Sequence, residues 1–548
     1  MRGKALKWIA LGLLLAGLGA FDRIRRHRPQ RVQAATAQGR LILGNGTEPS
    51  TLDPSLATGV PEHHIFDALF EGLVAPGVDD PDANAPGVAS SWTQHDFTVW
   101  EFELRPQARW SDGRALLAED FVWSFQRILS PQLGAEYAPM LFAMRGARDF
   151  NEGKLSDFSK VGVKALGPHR LRIELEGPAP YFPSMLKHYA WHPVPRHVIE
   201  AFGSMTQRDT RWTREGNLVG NGPFRLKDWR FGHSICVERN PHYWDAATVK
   251  LNEIVFLPIA KDATEERAFS DGQIHKTETL PLALVPRYRE GRHPAYREHA
   301  LLSTYFYRFN VTRPPFDKRE VRQALAMAVD RQGLIDHVLR GGQMASVSFT
   351  PPGTSKQYQV PPVLRFDPGQ ARELLAKAGY PQGRDFPRAE ILINSSEAHR
   401  TIAEAIQEMW KKHLGIEVAV LNQDWGVYLD SQKRLDYDIC RAGWVGDYLD
   451  PYTFLSLWQS GDGNNQTGWS NARYDQWMRA SLREGDAAKR FALLAQAEQL
   501  LLEELPVLPV YWYVRSFLLR PEVQGFKSSL LEHHCYKALS LQPAADAD

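Results

Sequence analysis

Two histidine doublets, His63-His64 and His533-His534, and two acidic runs, Asp80-x-Asp82-x-Asn84 and Asp462-x-Asn464, are the side-chain groupings in this 548-residue chain that come nearest to metal chemistry. Adjacent residues on a strand point to opposite faces, so neither doublet is expected to grip one ion. The acidic runs open like calcium loops but lack the Gly at the sixth position and the bidentate Glu at the twelfth. Both read as polar turns. For covalent or hydrolytic chemistry the chain offers no G-x-S-x-G elbow, no phosphate-cradling Gly-rich loop and no H-E-x-x-H helix. Its three cysteines, Cys236, Cys440 and Cys535, have no metal-like spacing and cannot make a disulfide scaffold. The expectation is a protein that is not an enzyme and needs no cofactor or metal.

What the chain has in quantity is contact surface. Sixteen Trp and eighteen Tyr offer broad apolar faces with a polar tip, suited to interiors and ligand clefts alike. With 43% apolar and 24% charged residues the composition is globular, and the length suggests about three domains or one large two-lobed molecule. The net charge of +1 hides an asymmetry. Residues 1–37 carry eight Lys and Arg against a single acid, Asp22, which leaves the remainder at about −6. A mildly acidic body has no electrostatic motive to bind nucleic acid.

The basic start has the form of an export signal. Arg2, Lys4 and Lys7 precede the apolar run Trp8–Phe21, too short for a comfortable membrane span. Leu18-Gly19-Ala20 and Ala35-Thr36-Ala37 each offer a cleavage point. Arg23, Arg25, Arg26, Arg28 and Arg31 follow the apolar run, an arrangement that also suits an uncleaved anchor. Both outcomes stay open, and the absence of a following Cys excludes a lipid anchor.

Positioning elements are legible further on. Thr401–Leu414 places Ile402, Ile406, Met409 and His413, with Ala405 and Trp410, on one helical face, and Gly415 stops it. Ile416, Val418 and Val420 then alternate as a strand. Asp367-Pro368 opens a second helix with Ala371, Leu374, Leu375 and Ala378 inward, ended by Gly379. Val321–Leu339 reads as a third, and Glu253–Pro258 and Ala389–Asn394 as strands. Such alternation implies α/β lobes built on central sheets.

Three stretches carry a resemblance. Gly46–Val74 (GTEPSTLDPSLATGVPEHHIFDALFEGLV) has an E-x-x-x-LDP…LFEGL pattern. Trp100–Pro131 contains F-x-LR-P and W-SDG followed by AEDFVWSF. Asp438–Trp458 reads DICRAGWVGDYLDPYTFLSLW. Together with GNGPFRLKDW, RNPHYWD, RPPFDKREVRQALAMAVDR and LPVLPVYWYV in the same order, they resemble bacterial solute-binding proteins of ABC importers, most of all the oligopeptide-binding branch, from about Leu41 to Gln542. The resemblance implies an α/β, two-lobed periplasmic-binding-protein fold of type II with an extra domain on one lobe. The implied division is a signal or anchor over 1–37, lobe I over 38–60, 197–302 and 515–548, an additional domain over 61–196, and lobe II over 303–514.

The resemblance also implies a site. Asp447 matches the carboxylate that pairs with a peptide's α-amino group, a charge that a closing cleft must neutralise. Arg441 and His399 match positions that reach the peptide carboxylate, which a guanidinium or a protonated imidazole can hold. Gly443 and the stretch Ala442–Trp444 match a strand that contacts peptide main chain. Trp425, Trp444, Tyr137 and Tyr305 match pocket walls, and Glu48 a cleft-facing acid. Gln432 departs from relatives with a basic residue there. Val445 and Ser303 depart from a pair of cross-linked cysteines. The expected role is a monomeric periplasmic receptor that captures short peptides and delivers them to an inner-membrane ABC permease. A murein-peptide or other small-solute receptor is the alternative within the class. An exported peptide hydrolase is the alternative outside it.

Overall fold

A computed structural model describes residues 31–355, 357–359 and 362–543. The export segment therefore lies mostly outside the described residues. Its last part, the helix Arg31–Ala37, belongs to the folded body: Val32, Ala35 and Thr36 are buried, and the Thr36 hydroxyl meets His275 Nε2 at 3.1 Å. Among the described residues no helix is long and apolar enough to cross a membrane.

Three sheets organise the chain. The first has four strands in the order Arg40–Gly44, Glu253–Leu257, Ser234–Arg239 and Phe224–Arg230, the first pair parallel and the others antiparallel. The second is antiparallel, in the order Ala89–His95, Val99–Leu104, Arg170–Glu174 and Val163–Gly167. The helix Ala118–Leu129 in the same region buries Phe121, Phe125, Ile128 and Leu129, four residues on one face at helical spacing. The third has six strands, in the order Met344–Ala345, Val507–Leu518, Tyr296–Phe309, Ile439–Val445, Ala389–Asn394 and Val418–Gln423.

The two longest strands of this sheet join the parts of the molecule. Tyr296–Ala300 pairs with Val514–Leu518, the pairing breaks, and Thr304–Arg308 resumes opposite Val507–Trp512. At their outer end Lys276 bridges Leu519 on one side and Leu43 of the first sheet on the other. Beyond the break, Tyr305, Tyr307 and Phe309 enter one hydrophobic core and Phe306 another, the period of two expected of a strand buried on both faces.

The helix–strand units match the sequence pattern. The long helix runs Glu397–Leu414, one turn earlier than its apolar stripe, because Ser396 caps it by accepting from the His399 amide; Gly415 ends it at φ +71°. Asp367 caps Pro368–Lys377 in the same way. The third stretch is not continuous. It breaks into Arg319–Met327 and Arg331–Leu334, with Asp330 capping the second by accepting from Gly333, followed by a wider turn over Ile335–Leu339. Asp80 and Asp462 each accept from a backbone amide two residues on, as polar turns do.

Candidate functional site

A cavity of about 350 Å³ lies where the three regions meet. Its central wall is the strand Ile439–Val445. Along its full length this strand pairs with Tyr296–Phe309, but on its other side it pairs with Ala389–Asn394 only through Ile439 and Cys440. From Arg441 to Val445 that second edge has no ladder partner among the described strands. An unpaired edge opening on a cavity is a template for an added strand. Gly443 lies in the middle of it, where a Cβ would come within 3.1 Å of the Tyr513 hydroxyl and 3.3 Å of Arg441 Nη2.

Asp447 stands just past one end of this edge. Its Oδ1 accepts from the Tyr137 hydroxyl at 3.3 Å and lies 3.3 Å from His188 Nε2; its Oδ2 accepts from the Thr453 hydroxyl at 2.9 Å. Burial pushes its carboxyl up to about 7, against the hydrogen bonds from Thr453 and Tyr137. Burial, reinforced by the neighbouring His63, holds His188 well below the ordinary imidazole range, so it brings no positive charge. Among the described residues no Lys or Arg makes an ion pair with Asp447.

Arg441 stands at the other end. Its guanidinium lies over the Tyr305 ring at 4.7 Å, and its Nη1 and Nη2 donate to Asn394 Oδ1 at 3.2 Å and the Tyr513 hydroxyl at 2.5 Å. It is buried and, among the described residues, has no carboxylate partner. His399 lines the same end of the cavity with Nδ1 unpartnered. Burial and then Arg441 hold its ring well below the usual imidazole range. These influences favour the neutral ring over the protonated imidazole expected for His399.

Trp444 lines the cavity with its ring 6.0 Å from Tyr137, which also borders it. Trp425 lines it too, stacked on Tyr428, with its edge against Gly59. Two expected residues lie elsewhere. Tyr305 is fully buried behind Arg441, stacked on Tyr511 at 4.7 Å, and supports the guanidinium instead of forming a wall. Glu48 does not reach the cavity. Its carboxylate accepts from Trp229 Nε1 at 2.7 Å and from the Gly232 amide at 3.1 Å, tying it to the turn between two strands of the first sheet. Gln432 is buried, its amide directed at the Arg441 carbonyl.

Several lining residues were not expected. His63, His64 and Glu278 border the cavity from one side, and Tyr511, Tyr513 and Arg515 from the long strand. The doublets mislead as strand residues because His63 and His64 lie on the helix Val60–Leu69, where successive side chains diverge by about a quarter turn. Each then meets a member of the second doublet: His63 and His533 at 5.1 Å between rings, His64 and His534 at 4.5 Å. Arg515 pairs with both Glu278 and Glu532 at 3.0 and 2.9 Å, and this holds Glu278 down to about 2 despite its burial. The Ser184-x-x-Lys187 spacing, which suits a Ser–Lys hydrolase, makes no dyad: Lys187 donates to the Asp82 carbonyl at 2.6 Å, and Ser184 Oγ has no hydrogen-bond partner among the described residues.

Residues 84–466 match the family described as bacterial extracellular solute-binding proteins, family 5. The chain is 36% identical over 527 residues to the periplasmic oligopeptide-binding protein OppA of Escherichia coli, covering 94% of this chain and 95% of the relative. It is similar in fold to Haemophilus influenzae OppA in complex with the peptide RPPGFSPFR, at a TM-score of 0.87 and 31% identity over 92% of this chain and 99% of that one. The murein tripeptide-binding protein MppA of Escherichia coli is similar in two solved structures. One gives a TM-score of 0.87 at 33% identity over 92% of this chain and 98% of that one. The other, its unliganded open form, gives 0.61 at 32% identity over 92% and 97%. The lower score belongs to the structure described as the unliganded open form, so the present chain is more similar to the first.

Proposed function

The chain belongs to family 5 of the bacterial extracellular solute-binding proteins, and from that premise we propose that it captures short oligopeptides in the cleft and delivers them to an inner-membrane ABC permease. The fold is the two-lobed, type II α/β architecture of periplasmic binding proteins. The relatives are binding proteins, and the site of this chain is built for holding.

The observation that carries the reading is a pair of buried ionisable groups, without Lys, Arg or carboxylate partners among the described residues, at the two ends of a strand edge that no described strand pairs. Among the described residues Asp447 has no Lys or Arg partner and Arg441 no carboxylate, and Arg441–Val445 between them has main-chain groups to share. A zwitterionic peptide supplies all three complements: ammonium, carboxylate and a second strand. Burying either charge alone is costly, so the ligand that pairs both recovers the most free energy. Affinity resting on termini and main chain leaves side chains free to vary, which suits a receptor for many peptides.

The proposed division places lobe II over 303–514 and lobe I over 38–60, 197–302 and 515–548, with the additional domain over 61–196. Its support is the pairing break between Ala300 and Thr304, which coincides with two of these boundaries on adjacent strands. The protein acts as a monomer in the periplasm, free or held by its N-terminal segment.

Native mass spectrometry of the protein incubated with mixed tri- to pentapeptides tests the reading. One-to-one complexes with intact peptides are expected. Shortened products would favour a hydrolase, and the absence of any complex would end the proposal.

A further inference from the structure

The geometry points to a binding site for one divalent transition-metal ion, of the zinc, nickel and cobalt class, formed by His63 Nε2, Asp67 Oδ1 and His533 Nδ1 beside the peptide cleft. The three atoms form a nearly regular triangle, with His63–His533 at 3.2 Å, His63–Asp67 at 3.5 Å and His533–Asp67 at 3.9 Å. Around a tetrahedral ion with bonds of about 2.0–2.1 Å, ligand atoms lie about 3.3–3.4 Å apart, so small side-chain adjustments complete the face.

The frame holding these atoms is rigid. His63 and Asp67 are four residues apart on the helix Val60–Leu69 and share a face. His533 reaches them from the C-terminal segment and is almost wholly buried. The other oxygen of Asp67 accepts from the His534 amide at 2.6 Å, which fixes the carboxylate from behind, as supporting hydrogen bonds do at metal centres. Access is provided on two sides. His63 borders the 350 Å³ cavity and Asp67 a smaller one of about 40 Å³, and water from these cavities would complete the coordination.

Donor chemistry selects the ion. Two imidazoles and one carboxylate suit zinc, nickel or cobalt, whereas calcium and magnesium prefer sites made wholly of oxygen. Charge selects this cluster over its neighbour. His64, Glu278 and Glu532 also converge, but Arg515 and Lys276 already pair with those carboxylates, at 2.9–3.0 Å and 3.3 Å, and would repel a cation. No Lys or Arg among the described residues makes an ion pair with Asp67; Lys187, which borders the same smaller cavity, directs its ammonium to the Asp82 carbonyl at 2.6 Å.

The test uses the full chain without an affinity tag, stripped with a chelator and free of peptide. Calorimetry with Zn²⁺ is expected to show one tight equivalent that excess Mg²⁺ and Ca²⁺ do not displace. His533→Gln and Asp67→Asn should each weaken it by more than about tenfold while leaving the thermal melt cooperative and peptide affinity unchanged. Crystals of the unaltered protein grown with equimolar Zn²⁺ should give an anomalous peak within bonding distance of all three atoms, a readout independent of how the variants fold. No stoichiometric uptake, undiminished uptake by both variants, or a peak elsewhere would overturn the assignment. Peptide calorimetry on the stripped protein is unaffected by any of these results, so the peptide reading stands or falls separately.

Discussion

Tyr137 and Asp447, 310 residues apart in the chain, meet through a 3.3 Å hydrogen bond from hydroxyl to carboxylate across the mouth of the cavity. Under the proposed division Tyr137 belongs to the additional domain and Asp447 to lobe II, so the contact forms only when the two are together. It leaves Asp447 buried and solvated by neutral donors alone, poised for a cation.

An N-acetylated peptide should therefore bind far more weakly than its free counterpart. Acetylation removes the ammonium and leaves the buried carboxylate unpaired, at a cost of roughly 2–5 kcal/mol, or about 30- to several-thousand-fold in affinity. Calorimetry on matched peptides checks it. Equal affinities would take Asp447 out of the site, and Asp447→Asn should shrink the difference between the two ligands.

At the opposite end, amidating the peptide C-terminus should weaken binding by about 10- to 150-fold, the range of 1.5–3 kcal/mol for a hydrogen bond to a charged group. The reason is Arg441, whose guanidinium stacks on Tyr305 but among the described residues meets only neutral acceptors. Arg441→Gln should bring the acid and amide forms together. If it does not, the carboxylate is held elsewhere.

Acid should lower peptide affinity, because Asp447 must be ionised to hold an ammonium and burial has pushed it up to about 7. The groups facing it are Tyr137, Thr453, His188 and, further off, His63. Affinity should fall by up to about tenfold per pH unit below 7. Stability of the ligand-free protein carries the opposite sign. Between the ordinary carboxylate value and 7 the folded state holds a proton that the unfolded state has released, so stability drops as pH rises through that window. Asp447→Asn should thus raise the melting temperature at pH 8, by the equivalent of about 1–4 kcal/mol, and have little effect near pH 4. A variant less stable than the parent at pH 8 would contradict this.

How far the sequence reached depends on what each residue does. Asp447, Arg441 and Gly443 were reached through the resemblance carried by R-A-G-W-V-G-D, and the structure brings all three to one cavity. Helices with a cap and a Gly stop were legible because those signals are local. Glu48 and Tyr305 were misplaced because their neighbours are remote: Trp229 and Gly232 claim the first, and Tyr511 and Arg441 enclose the second. The histidine doublets were set aside on strand geometry, whereas the first sits on a helix and meets the second across some 470 residues, a pairing no local pattern encodes.

Ser303 and Val445 pair directly across adjacent antiparallel strands. Cα separations in such pairs, about 4.5–5.5 Å, fall within disulfide range. The double variant Ser303→Cys, Val445→Cys should oxidise to a cross-link closing a loop of about 140 residues, with a gain of about 2–4 kcal/mol over its reduced form. Thermal melts with and without reductant measure it. Free thiols persisting after oxidation would show that the strands are not in this register.

The last expectation concerns motion. A receptor must present two shapes to its permease, and a ligand drives closure only through its greater affinity for the closed one. Here the difference arises because Asp447 and the edge Arg441–Val445 lie on one side of the cavity, while Tyr137 and Gly59 approach from the other, Gly59 against the edge of Trp425. Under the proposed division the two long strands pass between the lobes at the pairing break between Ala300 and Thr304, and there the backbone has no ladder to preserve and can turn. Peptide should therefore shrink the radius of gyration in solution scattering toward that of the present structure, and change tryptophan fluorescence as Trp425 and Trp444 lose water. Asp447→Ala should weaken both responses at a fixed peptide concentration while leaving the ligand-free scattering curve unchanged. A parent protein whose curve does not move at saturating peptide would mean that capture here proceeds without hinge closure.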